Sequence, residues 1–337
     1  MRIVVEIDDR VRAMGSVLLL TDLAKMNDSW KHPEVKALTL EHLARHNDHP
    51  CAVAARDIGP TKSMGSSFQC YAVGLEYVGG RFMETAPPKD FPLFGATPER
   101  HSFSDLLTDF CEATGLNSFW QRTSHLWDET VADCRRMLSE EDPSDFLSLL
   151  YGEVDVRLVA IPAPLNPTSF SYGPREGSTA YAIVGPPNVK KDSPEPVRYR
   201  LLGRRFQALL FHEFSHSLLN LVEDSARESS ERIYALCGSM PSNAKFRDIY
   251  GHDPDRIWFD ELFIRAATAL YDRALGRESG ALAYLERQED EYGLGWIRPL
   301  YNALEHYLRM RKAGEYAGLS EFFPEIERAL RLSVSLD

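Results

Sequence analysis

The chain has 337 residues, 44% of them hydrophobic and 26% charged, with 21 Gly and 20 Pro, a composition that excludes low-complexity and disulfide-stapled miniature architectures and suggests about two domains. Its 38 Lys+Arg against 50 Asp+Glu give a net charge of −12, so no basic field exists to neutralise phosphates; neither nucleic acid nor a membrane is an expected partner. No apolar run approaches the ~20 residues that span a bilayer, and Glu6, Asp8 and Asp9 interrupt the start where a secretory signal needs a continuous apolar stretch. A cytoplasmic location is expected. The five widely spaced cysteines contain no C-x-x-C and are expected to be free thiols in a reducing compartment.

In chain order, the opening residues read as a strand, followed by a helix carrying Val11, Met14 and Leu18. Apolar residues recur at three-and-four spacing over Phe68–Val78, over Leu106–Phe110 and over Phe119–Leu138, which predicts helices. The Pro-rich stretch Ala86–Pro98 reads as an extended connector. Alternation at Val154, Val156, Leu158 and Ala160 predicts a strand, Pro162–Gly177 a loop, and Ser178–Val184 a second strand. Beyond about Tyr199 the pattern is helical: one helix to about Val222, a capping box in Ser225-Ala226-Arg227-Glu228, and an N-cap and first-turn proline in Asp253-Pro254 for a helix to Leu275. Helices around Ala281–Glu291, Ile297–Arg311 and Ser320–Leu332 complete the chain. The fold class expected is α+β, mainly helical, with residues 1–150 a mostly helical lobe with an opening strand and 151–337 a lobe holding a small sheet and the helix described next.

That helix carries His212-Glu213-Phe214-Ser215-His216. Residues four apart share one face of a helix, so two imidazoles can meet one metal ion, with Glu213 a residue round and able to take a proton from water. A pair of satisfied core histidines is the plainer alternative. A zinc site needs a third protein ligand, and the positions that would supply another histidine are Leu219 and Val222. Glu223 lies about 10 Å further along a straight helix, too far to share the ion, and reads as a solvated acid. Glu261, within Trp258-Phe259-Asp260-Glu261-Leu262, is the expected third ligand, because an acid among apolar neighbours needs a partner. Asp260 is the next candidate, and an exposed i,i+4 pair of Glu261 with Arg265 is the alternative. Tyr172, Tyr292, Tyr301 and His306 are candidates for holding an oxyanion, and Ser178–Val184 is a candidate sheet edge for an extended peptide. His42, His46, His49, His101 and His125 read as surface residues.

H-E-x-x-H followed by a glutamate on a later helix resembles the gluzincin branch of the zinc metallopeptidases, the thermolysin-like enzymes, over roughly Ser178 to Ala269. The resemblance implies a zincin-like catalytic lobe, one Zn2+ per chain on His212, His216 and Glu261, Glu213 as general base and later proton donor, and a peptide or protein substrate. Thermolysin-like enzymes carry an acid four residues beyond the ligand glutamate; Arg265 stands there in this chain, so the ligands must be supported differently, by Asp260 or backbone carbonyls. The chain is also similar along most of its length to a bacterial family, a domain of unknown function (DUF4932), in Ile7-Asp8-Asp9-Arg10-Val11, His32-Pro33-Glu34-Val35, Ala113-Thr114-Gly115-Leu116, Phe146-Leu147-Ser148-Leu149-Leu150-Tyr151-Gly152 and His212–Ser217. That similarity implies a peptidase without specifying its substrate. A metal-dependent hydrolase of a non-peptide amide and a non-catalytic, zinc-stabilised binding protein remain the alternatives.

Overall fold

The computed structural model describes residues 1–25, 29–58, 64–84, 103–240, 242, 244–250 and 256–334. The elements run β1 (Ile3–Val5), α1 (Asp9–Leu18), α2 (Glu34–Leu43), α3 (Pro50–Asp57), α4 (Met64–Val73), β2 (Leu75–Val78), β3 (Arg81–Glu84), α5 (Phe103–Thr114), α6 (Leu116–Arg122), α7 (Ser124–Glu140), α8 (Ser144–Tyr151), β4 (Arg157–Pro162), β5 (Arg175–Glu176) and β6 (Thr179–Val184). They continue with α9 (Arg205–Ser225), α10 (Arg227–Cys237), α11 (Ala244–Tyr250), α12 (Arg256–Ala274), α13 (Glu278–Tyr292), α14 (Ile297–Lys312) and α15 (Phe323–Val334). The protein is α+β and mainly helical. Among the described residues no helix is long and apolar enough to cross a membrane. All five cysteines are thiols outside any disulfide, and all but Cys70 are buried.

Two compact units divide the chain. One comprises Ile3–Asp142 and Arg157–Glu213. Its four-stranded sheet has the order β1-β4-β6-β5, parallel between β1, β4 and β6 and antiparallel at β5. Helix α1 starts where the Asp8 side chain accepts from the Arg10 N–H at 2.9 Å, satisfying a donor the first turn leaves open. Its Ala13, Met14 and Val17 then join Leu43, Phe68, Leu107 and Phe110 in one core, while Val11 on the same helix joins Val159, Ile161, Tyr181 and Ile183 in another. The other unit comprises Met1–Arg2, Pro143–Val156 and Phe214–Asp337. Every residue of α12 from Trp258 to Tyr271 is buried, the mark of a helix enclosed on all sides. Phe259 alone contacts the rings of Phe263, Tyr234 and Phe323, and burying such a side chain contributes about 1.5–3 kcal/mol.

Several expectations are corrected. The helix expected over Phe68–Val78 stops at Val73, and Leu75–Glu84 is an antiparallel hairpin turned at Gly79-Gly80, both at positive φ (61° and 85°) that most residues avoid. The helix expected over Phe119–Leu138 breaks at Thr123 (φ −104°, ψ 12°). The stretch near Tyr199 is a 3-10 turn, and α9 proper begins at Arg205. The loop Pro162–Gly177 contains β5, so β6 lies between two strands and is no sheet edge. The capping box does not form: the Ser225 hydroxyl donates back to the Val222 carbonyl at 2.7 Å, and Ala226 is the N-cap of α10. His42 is half-buried and stacks on Phe119 with ring centroids 4.3 Å apart. The connector Ala86–Pro98, His101 and Asp253-Pro254 lie outside the described residues.

Candidate metal centre

Along α9, Phe206, Leu210, Phe211, Phe214, Leu218 and Leu219 are buried, while Ala208, Leu209, His212, His216 and Asn220 keep partial exposure. The partly open positions follow an i,i+4 stripe, so the apolar pattern of the sequence itself turns both imidazoles to one face. Glu213, one residue round, is 6% exposed.

Glu261 is buried in α12, one turn and a half in from its start, and its Oε1 lies 3.6 Å from His216 Nε2. The ligand atoms offered by His212, His216 and Glu261 all lie within 4.8 Å of one another. Burial pulls the His216 pKa below the ordinary histidine value; Glu261 opposes that pull and Arg265 adds to it. The shift favours the neutral imidazole, the form that binds a metal.

The two readings offered for Glu261 are not exclusive. Its second oxygen, Oε2, accepts from Arg265 Nε at 3.1 Å, and that i,i+4 pair is buried rather than exposed. The Arg265 guanidinium donates also to Tyr250 OH at 2.7 Å and to Gln288 Oε1. The sequence marked Arg265 as the partner in a surface pair and as a departure from the resemblance, not as a support for Glu261; Tyr250 and Gln288 carried no signal, since both come from other helices.

Asp260 faces elsewhere. It groups with buried Glu223 and partly exposed Arg256: Arg256 reaches Glu223 at 2.6 Å and Asp260 at 3.8 Å. Glu223 is only 2% exposed, which overturns its reading as a solvated acid. Burial raises the pKa of both carboxyls, and each acts on the other, with Arg256 opposing the rise. Two buried carboxyls that interact do not both ionise readily, so the pair favours holding a proton.

The segment ahead of β5 is pressed onto α9 at Glu213. A Cβ on Gly173 would lie 2.0 Å from the Glu213 carbonyl oxygen, so only glycine permits the approach. The preceding Tyr172 is tied to Ile183 by two backbone hydrogen bonds, 2.9 and 2.8 Å. Burial pushes the Tyr172 hydroxyl pKa up, and the Glu213 charge adds to the rise. Of the other three oxyanion candidates, Tyr292 lies over Arg265, Tyr301 accepts from Arg273, and His306 contacts Phe322.

Fold and side chains together define a mainly helical α+β protein in which two histidines one turn apart meet a buried glutamate from a second helix. The chain belongs to the family described as a domain of unknown function (DUF4932), which matches residues 96–329. No curated protein and no solved structure matches it.

Proposed function

We propose that this chain is a zinc-dependent metallopeptidase with a zincin-like catalytic fold, in which His212, His216 and Glu261 hold one zinc ion and Glu213 is the general base. The observation that carries this reading is the clustering of two imidazoles and one carboxylate, ligand atoms within 4.8 Å of one another, beside a second buried carboxylate. The donor set fits: ligands at about 2.0–2.1 Å in a tetrahedron stand about 3.3–3.4 Å apart, and His216 Nε2 and Glu261 Oε1 are 3.6 Å apart.

When bound, zinc supplies a Lewis acid that polarises the scissile carbonyl and acidifies a water. Glu213, the residue after the first histidine, would take a proton from the attacking water and pass it to the leaving amine. Burial keeps the Tyr172 hydroxyl protonated, and the next residue, Gly173, lies against the Glu213 backbone, so Tyr172 is a donor suited to the charge that develops on the carbonyl oxygen. On the outer side of the sheet, β5 with exposed Arg175 and Glu176 offers an edge for an extended peptide.

The test is zinc content together with cleavage of an unfolded protein. One zinc per chain, lost in His216→Ala, and chelator-sensitive cleavage that Glu213→Gln abolishes while keeping zinc, are the expected results. Zinc with no turnover of any peptide would transfer the chemistry to a non-peptide amide. No zinc uptake at neutral pH, where the histidines are unprotonated, would overturn the reading.

A further inference from the structure

We propose that Arg265 is a positioning residue that fixes Glu261 as a ligand through one oxygen; the inference rests on the metal reading above. Arg265 Nε holds Glu261 Oε2 at 3.1 Å, while the oxygen nearest His216 is Oε1, at 3.6 Å. A carboxylate whose outer oxygen is committed to a fixed cation presents only the other to an ion. The guanidinium is itself immobilised. Its two Nη atoms donate to Gln288 on α13 and Tyr250 on α11, its Cζ lies 4.7 Å from the Tyr292 ring centroid and 5.7 Å from that of Tyr250, and the side chain is 10% exposed. Residues of α11, α12 and α13 thus converge on the guanidinium that holds this carboxylate.

Stability is a poor explanation for so much machinery, because a buried ion pair rarely gains more than well-packed apolar residues of the same volume would. Orientation of a ligand is a better one, since the groups that hold metal ligands set coordination geometry and affinity. Arginine suits the task better than lysine: its planar fork makes three bonds in set directions, which a single ammonium cannot reproduce.

The experiment titrates the metal-free chain with cobalt(II) and follows its visible absorption, which is most intense for four-coordinate cobalt and falls as a fifth ligand is added. The parent is expected to give the intense spectrum. Arg265→Met, which lets both Glu261 oxygens reach the ion, is expected to lose that intensity, with metal affinity roughly 10–100-fold lower in competition with a chelator. Arg265→Lys should recover part of the affinity, and Gln288→Leu, which only loosens the guanidinium, should shift the spectrum the same way by less. Near-UV circular dichroism checks that each variant is folded, and Gln288→Leu carries the test if Arg265→Met is not. A folded Arg265→Met with the parent's spectrum and affinity would overturn the positioning role alone. A parent that binds neither cobalt nor zinc would overturn the metal reading and this inference with it.

Discussion

Substituting alanine for Gly173 places a methyl group where none fits. The new Cβ would stand 2.0 Å from the Glu213 carbonyl oxygen, 2.8 Å from its carbonyl carbon and 3.1 Å from its Cα. All three are backbone atoms within α9, so no side chain can swing aside. Relief requires the Tyr172–Pro174 segment to retreat, and that segment is bound to β6 by three backbone hydrogen bonds: Tyr172 N–H to Ile183 O, Ile183 N–H to Tyr172 O, and Tyr181 N–H to Pro174 O, at 2.9, 2.8 and 2.8 Å. At about 1 kcal/mol net for each bond, Gly173→Ala is expected to cost about 3 kcal/mol, at the upper end of ordinary overpacking. For domains of 150–250 residues that lowers the melting temperature by roughly 6–12 °C. Thermal unfolding followed by circular dichroism measures it. Gly280→Ala is the control: the nearest atom to its added Cβ is 4.0 Å away, so a helical alanine there should be neutral or stabilise by about 0.5 kcal/mol. A melting temperature for Gly173→Ala equal to the parent's would refute the close approach and, with it, the placement of this segment against Glu213.

Zinc at about 100 times its dissociation constant should stabilise the chain by about 2.7 kcal/mol, and His212→Ala or His216→Ala should remove that gain; a zinc-induced shift persisting in both would place the metal elsewhere. Because burial raises the Glu223 and Asp260 pKa values, the folded chain keeps a proton that the unfolded chain releases. This contribution to stability is complete below the unfolded carboxyl values and falls as pH rises through the folded ones. Glu223→Gln should therefore flatten the decline in melting temperature above pH 5, and an unchanged pH profile would count against the retained proton. Burial pushes the Cys111 thiol up to about 12 and the Cys51 and Cys134 thiols well above the usual range, so iodoacetamide at pH 7.5 should leave these three unmodified in the folded chain and alkylate them after unfolding. Mass spectrometry of tryptic peptides reads the result, and alkylation of Cys111 in the native state would contradict its burial.

Much of the helical half was legible in local pattern. The spans around Ala281–Glu291 and Ile297–Arg311 agree with α13 and α14 to within a few residues, because their apolar stripes are continuous and their ends carry breakers. The hairpin at Leu75–Glu84 escaped because Leu75 and Val78 extend the three-and-four spacing of the preceding helix; Gly79-Gly80 was the overlooked signal. Strand β5 has only two residues, too few for alternation to show.

His212, Glu213 and His216 lie within one turn of one helix, so their spacing alone fixed their relation to each other: a helix of 3.6 residues per turn allows no other arrangement. Glu261 could be named from the sequence because an acid in an apolar run must find a partner, but which partner was a question of tertiary packing. The fold answers it twice over, turning one oxygen to His216 and the other to Arg265. Glu223 shows the same limit from the other side. Its neighbours in sequence are those of an exposed helix end, and only the packing of α12 buries it against Asp260 and Arg256. Contacts within a turn follow from backbone geometry; contacts between helices depend on which faces the whole core brings together, and no local pattern encodes that.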